Sequence, residues 1–166
     1  MDIKSQLKSL FQELNASIEE INRERHEKKL SAVSKSKVRL LGQISLLSNE
    51  KASAILTLAQ TGDMDAYLIM DHIVKEELKK VLKKYRLIYD EDSYLIWIPE
   101  DAKFNRIFDF NQIVIESIDP ESALVSKAVK APEKNKQLIR EAIASSEFPN
   151  LVDRILKNGG KLENFI

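Results

Sequence analysis

Asp63 and Asp65 are the side chains whose type and spacing point most directly to chemistry. They stand in Thr61-Gly62-Asp63-Met64-Asp65-Ala66-Tyr67-Leu68. If this stretch is a strand, its period of two sends both carboxylates to one side and Met64 and Ala66 to the other. Two carboxylates held this way can share a divalent cation such as magnesium, a hard ion that prefers oxygen ligands. A third carboxylate from a neighbouring strand would complete a site for phosphoryl or nucleotidyl transfer, where the metal neutralises charge on a triphosphate and on the attacking oxygen. The candidates for that third acid are Asp109 in IFDF and Glu116 in IVIES. The competing reading is a solvated acidic turn ahead of a strand, because Asp-x-Asp is frequent by chance.

Other chemistries close quickly. Glycine occurs only at 42, 62, 159 and 160, so neither a dinucleotide-binding GxGxxG nor a phosphate-binding loop exists. There is no cysteine, which removes disulfides, thiolate zinc sites and cysteine nucleophiles together. His26 and His72 are far apart and lack ligand spacing, and no serine elbow is present. Lysine plus arginine and aspartate plus glutamate both number 26, so no global charge leans toward nucleic acid or membrane. The distribution is uneven: residues 1–60 hold 10 basic and 7 acidic side chains, residues 61–100 hold 6 and 9, and the acidic excess falls on the candidate site.

The elements that must position these residues follow from periodicity. Ile3, Leu7, Leu10, Leu14 and Ile21, with Phe11 and Ile18 beside them, make one apolar stripe and predict a helix over about 3–29. Three heptads are marginal for a dimer alone, so the stripe is expected to pack on the domain, with a homodimer as the alternative. Val38, Leu41, Ile44 and Leu47 suggest a second helical region, and ASAILTLA a buried helix face. A strand is expected at 63–68, then a helix capped by Asp71. RLIYD, SYLIWIP and RIFDFNQIVIESI, aromatic and β-branched, predict two or three more strands. Asp119-Pro120-Glu121 is a strong helix start, and further helices are expected at about 133–145 and from Pro149 to Asn158-Gly159-Gly160. The order predicts an α+β fold, a mixed sheet flanked by helices, with an N-terminal helical extension over 1–47 and an α/β core with C-terminal helices over 48–166.

Thr-x-Asp-x-Asp followed by an apolar strand resembles the signature of nucleotidyltransferase-fold proteins, nearest to the bacterial branch of uncharacterised nucleotidyltransferase-like proteins and abortive-infection toxin relatives. Ile118-Asp119-Pro120-Glu121-Ser122-Ala123-Leu124-Val125-Ser126-Lys127 is similar to the leucine-x-proline-glutamate helix that ends in lysine after the core sheet of that branch. The resemblance covers about 48–145. It implies a nucleotidyltransferase-like mixed sheet, magnesium as cofactor at Asp63 and Asp65 with Asp109 or Glu116, Asp63 and Asp65 as catalytic acids, and Thr61 and Lys127 as nucleotide-binding residues. Active members carry a Gly-Ser or Gly-Gly pair before the aspartates. Here SNEKASAILTLAQ precedes them, with no glycine from 43 to 61.

The expected function is therefore a magnesium-dependent transfer of a nucleoside monophosphate from a nucleoside triphosphate to an acceptor. The alternative is a catalytically degenerate member of the same fold that binds a protein or RNA. Arg23–Arg39 holds seven lysines and arginines against Glu24 and Glu27, enough for several phosphate contacts. It lacks interleaved aromatics, and a solvated helix end is the leading reading there, with nucleic acid the lesser one. No uncharged apolar stretch approaches ~18 residues, so no membrane span is expected. MDIKSQLKSLFQEL has the character of neither a secretory signal nor a transit peptide, and a cytoplasmic location is the expectation.

Overall fold

A computed structural model describes residues 2–166. Asp2 accepts a hydrogen bond from the Ser5 backbone amide and so caps the first helix, α1, Ile3–Glu27. Leu7, Leu10, Phe11, Leu14 and Ile18 on its inner stripe are fully buried. Burying each such side chain is worth about 2 kcal/mol, which outweighs the weak intrinsic preference of a polar helix.

The chain then enters β1, Ser36–Leu40, where a helix was expected. The burial alternates along the strand: Ser36, Val38 and Leu40 are buried while Lys37 and Arg39 are not. Val38 fits either a period of three with Leu41 or an alternating run with Ser36 and Leu40, and tertiary pairing decided the matter. Two short helices follow, α2 (Gly42–Leu47) and α3 (Glu50–Ile55). Of the expected buried face in ASAILTLA, Ala52 and Leu56 are buried. The anticipated strand at 63–68 is two pieces, β2 (Asp63–Met64) and β3 (Ala66–Ile69), which belong to different sheets. Asp71 caps α4, His72–Lys84, through the Ile73 amide. Next come β4 (Ile88–Tyr89), β5 (Phe104–Asp109) and β6 (Ile113–Ile118). SYLIWIP is no strand: Ser93–Leu95 forms a single 3-10 turn and the rest is irregular. Asp119 caps α5, Pro120–Lys130, through the Ser122 amide, and α6 (Lys136–Ser145) and α7 (Leu151–Lys157) complete the helices.

The main sheet is mixed, with strand order β3-β1-β6-β5. β1 runs parallel to β6 and antiparallel to β3, and β5 and β6 form an antiparallel hairpin with a bulge between Arg106 and Phe108. A separate two-stranded parallel ribbon pairs β2 with β4. The N-terminal helical extension expected over 1–47 thus contributes a central strand, and its long helix packs on the sheet. One face, carrying Val38, Leu40, Ala66, Ile113 and Ile115, packs against α1 and α4. A second core lies on the opposite face, where Leu41, Ile118, Tyr67 and Phe104 meet α5, α6 and α7. Among the described residues no helix is long and apolar enough to cross a membrane.

Candidate functional site

Asp65 is the hinge between the two sheets. Its carbonyl accepts from the Leu41 amide (2.9 Å), which ties it to the end of β1, while the Met64 carbonyl accepts from the Asp90 amide (3.0 Å), which ties β2 to β4. The parallel register sets Asp63 opposite Ile88 and Met64 opposite Tyr89, so one step further Asp65 stands beside Asp90. The Asp90 side chain is thereby a near neighbour of the Asp65 carboxyl and favours its protonated form. The loop that holds Asp90 is well tied: Ser93 Oγ donates to the Asp90 carbonyl (2.7 Å), the Ala66 amide donates to Ser93 Oγ (3.1 Å), and the Asp92 amide donates to Asp90 Oδ1 (2.9 Å).

Burial pushes the Asp65 carboxyl up to about 6, helped by the hydrogen bond and negative charge of Asp90 and by the charge of Asp63; Lys127 opposes the shift. The Lys127 ammonium, half-buried on α5, lies below the ordinary lysine value because it too is buried and because Lys134 is near, with Asp65 opposing. Both groups are driven toward their neutral forms, so desolvation outweighs their mutual attraction. Such paired perturbations inside a cleft are a common mark of functional sites.

Gly42 closes one wall. Its φ is +55°, a left-handed conformation in which glycine is nearly free of cost, and a Cβ built there would stand 2.5 Å from Asp65 Oδ2. The carboxylate therefore occupies the space that a side chain at 42 would fill. The cleft, about 180 Å³, is lined by Gly42, Asp65, Ile96, Ile98, Ser126 and Lys127. Past Lys127, Lys134 and Asn135 it adjoins a polar compartment of about 320 Å³ that Gln43, Thr57, Gln60 and Thr61 line. Grooves of about 340 and 420 Å³ run beside the start of α1, but no carboxyl pair of this kind lines them. Size alone does not select a site; convergent polar groups do.

Of the residues expected here, Asp63 is exposed on β2, and its amide donates to Thr61 Oγ1 (3.1 Å). Thr61 thus turns the chain into the site and lines the polar compartment. Asp65 and Lys127 line one cleft. Neither Asp109 nor Glu116 joins them. Glu116 sits opposite Arg39, which sits opposite Tyr67, so with strands about 4.8 Å apart Glu116 is roughly 10 Å across the sheet from Tyr67 and further from Asp65. It accepts from Arg39 Nε at 3.0 Å and pairs with Lys37 at 3.8 Å. Asp109 is on the far edge strand, paired with Lys35 and Arg106, each at 3.1 Å. The third acid that the structure brings alongside is Asp90.

Magnesium is tested by the same geometry. Two neighbouring carboxyls can share a cation, and magnesium commonly takes one or two protein carboxylates and completes its shell with water or phosphate. Asp65 and Asp90 fit that role. Among the described residues, though, no three His, Cys, Asp or Glu side chains are grouped to hold a metal. No family model, curated protein or solved structure matches the chain. The class defined by fold and site is an α+β protein with a mixed sheet between helices and a partly buried aspartate that lines one cleft with a lysine.

Proposed function

We propose that the cleft is a magnesium–nucleotide site and that the protein is a nucleotidyltransferase-like enzyme, transferring a nucleoside monophosphate from a nucleoside triphosphate to an acceptor. The observation that carries the reading is Asp65, with Asp90 as its acidic neighbour, lining one cleft with Lys127 beside a glycine that leaves room for the carboxylate. Asp65 and Asp90 would hold the ion, with the exposed Asp63 adding negative charge nearby. When bound, magnesium would neutralise phosphate charge and polarise the phosphoryl group. Lys127 and Lys134 stand where the cleft adjoins the polar compartment and would meet the remaining phosphate charge, while Gln43, Gln60, Thr61 and Asn135 offer amides and hydroxyls to a sugar or base. The degenerate, partner-binding reading is favoured by one observation, the lack among the described residues of a three-ligand group.

Isothermal titration with magnesium and each ribonucleoside triphosphate separates the two. The catalytic reading expects weak, magnesium-dependent binding of at least one triphosphate, lost in Asp65→Asn and weakened at least tenfold in Lys127→Met. Heat signals that are absent, or unchanged without magnesium, leave the degenerate reading in place.

A further inference from the structure

The half of the main sheet not covered by α5–α7 carries a second feature, outside the cleft. Alternate positions on three adjacent strands present Lys37 and Arg39 (β1), Glu116 (β6) and Arg106 (β5) on one face, and Lys35 stands just before β1. The four cations surround only two carboxylates, because Glu116 is shared by Lys37 and Arg39 and Asp109 by Lys35 and Arg106. The patch keeps a net positive charge. Its cations remain accessible, with side-chain exposures of 49% for Lys35, 36% for Lys37, 35% for Arg39 and 60% for Arg106. Exposed ion pairs of this kind are worth about 0–1 kcal/mol each, so an incoming phosphate can re-partner them at little cost.

Arg39 adds a shape requirement. Its Nε is held by Glu116, and its guanidinium lies 4.8 Å over the Phe104 ring. Among the described residues its terminal nitrogens make no hydrogen bond. A guanidinium lying over an aromatic ring, with its terminal nitrogens free, can offer a face for stacking on a base and its edge to phosphate.

We infer that this open sheet face binds single-stranded nucleic acid through its phosphate backbone, with Arg39 as a stacking platform. A duplex would need an element shaped for a groove, and the patch lies on three adjacent strands, roughly 10 Å across. A lipid surface would need apolar groups to insert, and Ile69 is the exposed large hydrophobic residue on the neighbouring strand. The inference does not depend on nucleotide binding in the cleft.

The test is fluorescence anisotropy with labelled oligouridylate, a labelled DNA duplex and anionic phosphatidylserine vesicles, over a range of salt. Four phosphate contacts predict a slope of log K against log salt of about −3 for a single strand. Lys37→Gln with Arg106→Gln leaves the Arg39–Glu116 and Lys35–Asp109 pairs in place. That double variant should halve the slope to about −1.5 and weaken low-salt binding by roughly tenfold or more. Lys80→Gln with Lys83→Gln, on α4 against the other face, should bind as the parent does. A circular-dichroism melt checks that both variants fold. Absence of salt-dependent binding overturns the inference, as does duplex or vesicle binding as tight as that of the single strand, or an equal loss in the α4 control.

Discussion

Replacing Asp65 by asparagine should stabilise the protein near neutral pH and remove a pH dependence the parent shows. A carboxyl whose native value is raised from 3.8 to about 6 holds its proton in the folded state when the unfolded chain has already released it. Between those two values the native state binds more protons, so stability falls as pH rises through the window, then levels off above it. At 1.36 kcal/mol per pH unit the full effect for an enclosed group would be about 3 kcal/mol. Asp65 is half-buried and lies on a cleft that water reaches, so screening reduces this to about 1–2 kcal/mol. The introduced amide can still donate to Asp90, which isolates the cost of ionisation. Urea denaturation at closely spaced pH values from 4 to 8, on parent and variant, reads the difference directly. Equal stabilities near pH 4, and a gain of about 1–2 kcal/mol for Asp65→Asn at pH 7, are expected. A constant difference across the range, or a variant that is less stable at pH 7, would refute the argument that burial of Asp65 sets its proton affinity.

Gly42→Ala should cost about 1–2 kcal/mol for the left-handed backbone, and more because its Cβ collides with Asp65 Oδ2 at 2.5 Å. The collision term should vanish in the Gly42→Ala/Asp65→Ala double variant, so a double-mutant cycle by urea denaturation should show coupling above about 0.5 kcal/mol, and strict additivity would contradict the packing. Arg154→Met should cost about 3 kcal/mol, because Arg154 on α7 joins Asp101 (2.8 Å), Glu121 (2.9 Å) and Asp119 (3.7 Å) and its loss leaves the mostly buried Glu121 unpaired. A melting temperature unchanged by that substitution would show the cluster to be dispensable.

What was legible in the sequence divides by the range of the interaction that decides it. Caps and periodic faces are local, so the α1 stripe, the Asp71 and Asp119 caps and the strand character of RIFDFNQIVIESI could be read from single segments. Ser36–Leu40 could not, because its alternation is short and its identity as a strand comes from pairing with β3 and β6, more than 25 and 70 residues away. The same holds for the site. Asp63 and Asp65 announce themselves by spacing, whereas Asp90 reaches Asp65 only through the parallel β2–β4 ribbon, two residues long and invisible to any pattern count. Its one local signal is its place at the end of RLIYD, an acid closing an apolar run. Gly42 lies one position outside the glycine-free stretch 43–61 and reaches Asp65 because β1 and β3 run side by side. Asp109 and Glu116 alternate correctly on their strands, but strand order, which spacing does not encode, set them on the wrong side of β1.

The distribution of strain gives the cleft its weight. Across the rest of the molecule, carboxylates with shifted proton affinity lie below their ordinary value: Lys84 holds Glu13 down, Lys79 and Lys75 hold Glu91, Arg154 holds Asp101, and Lys35 holds Asp109. Each of those contacts favours the charged form and the folded state together. Asp65 is the carboxyl raised instead, Lys127 the lysine lowered, and Gly42 the glycine whose left-handed backbone brings it against a carboxylate oxygen. An amide at 65 or a shorter side chain at 127 would relieve these costs without disturbing the cores on either face of the sheet. Under the proposed function, a charged ligand in the cleft would offset the desolvation that Asp65 and Lys127 both carry, which accounts for destabilising features falling together against a background in which charges are paired.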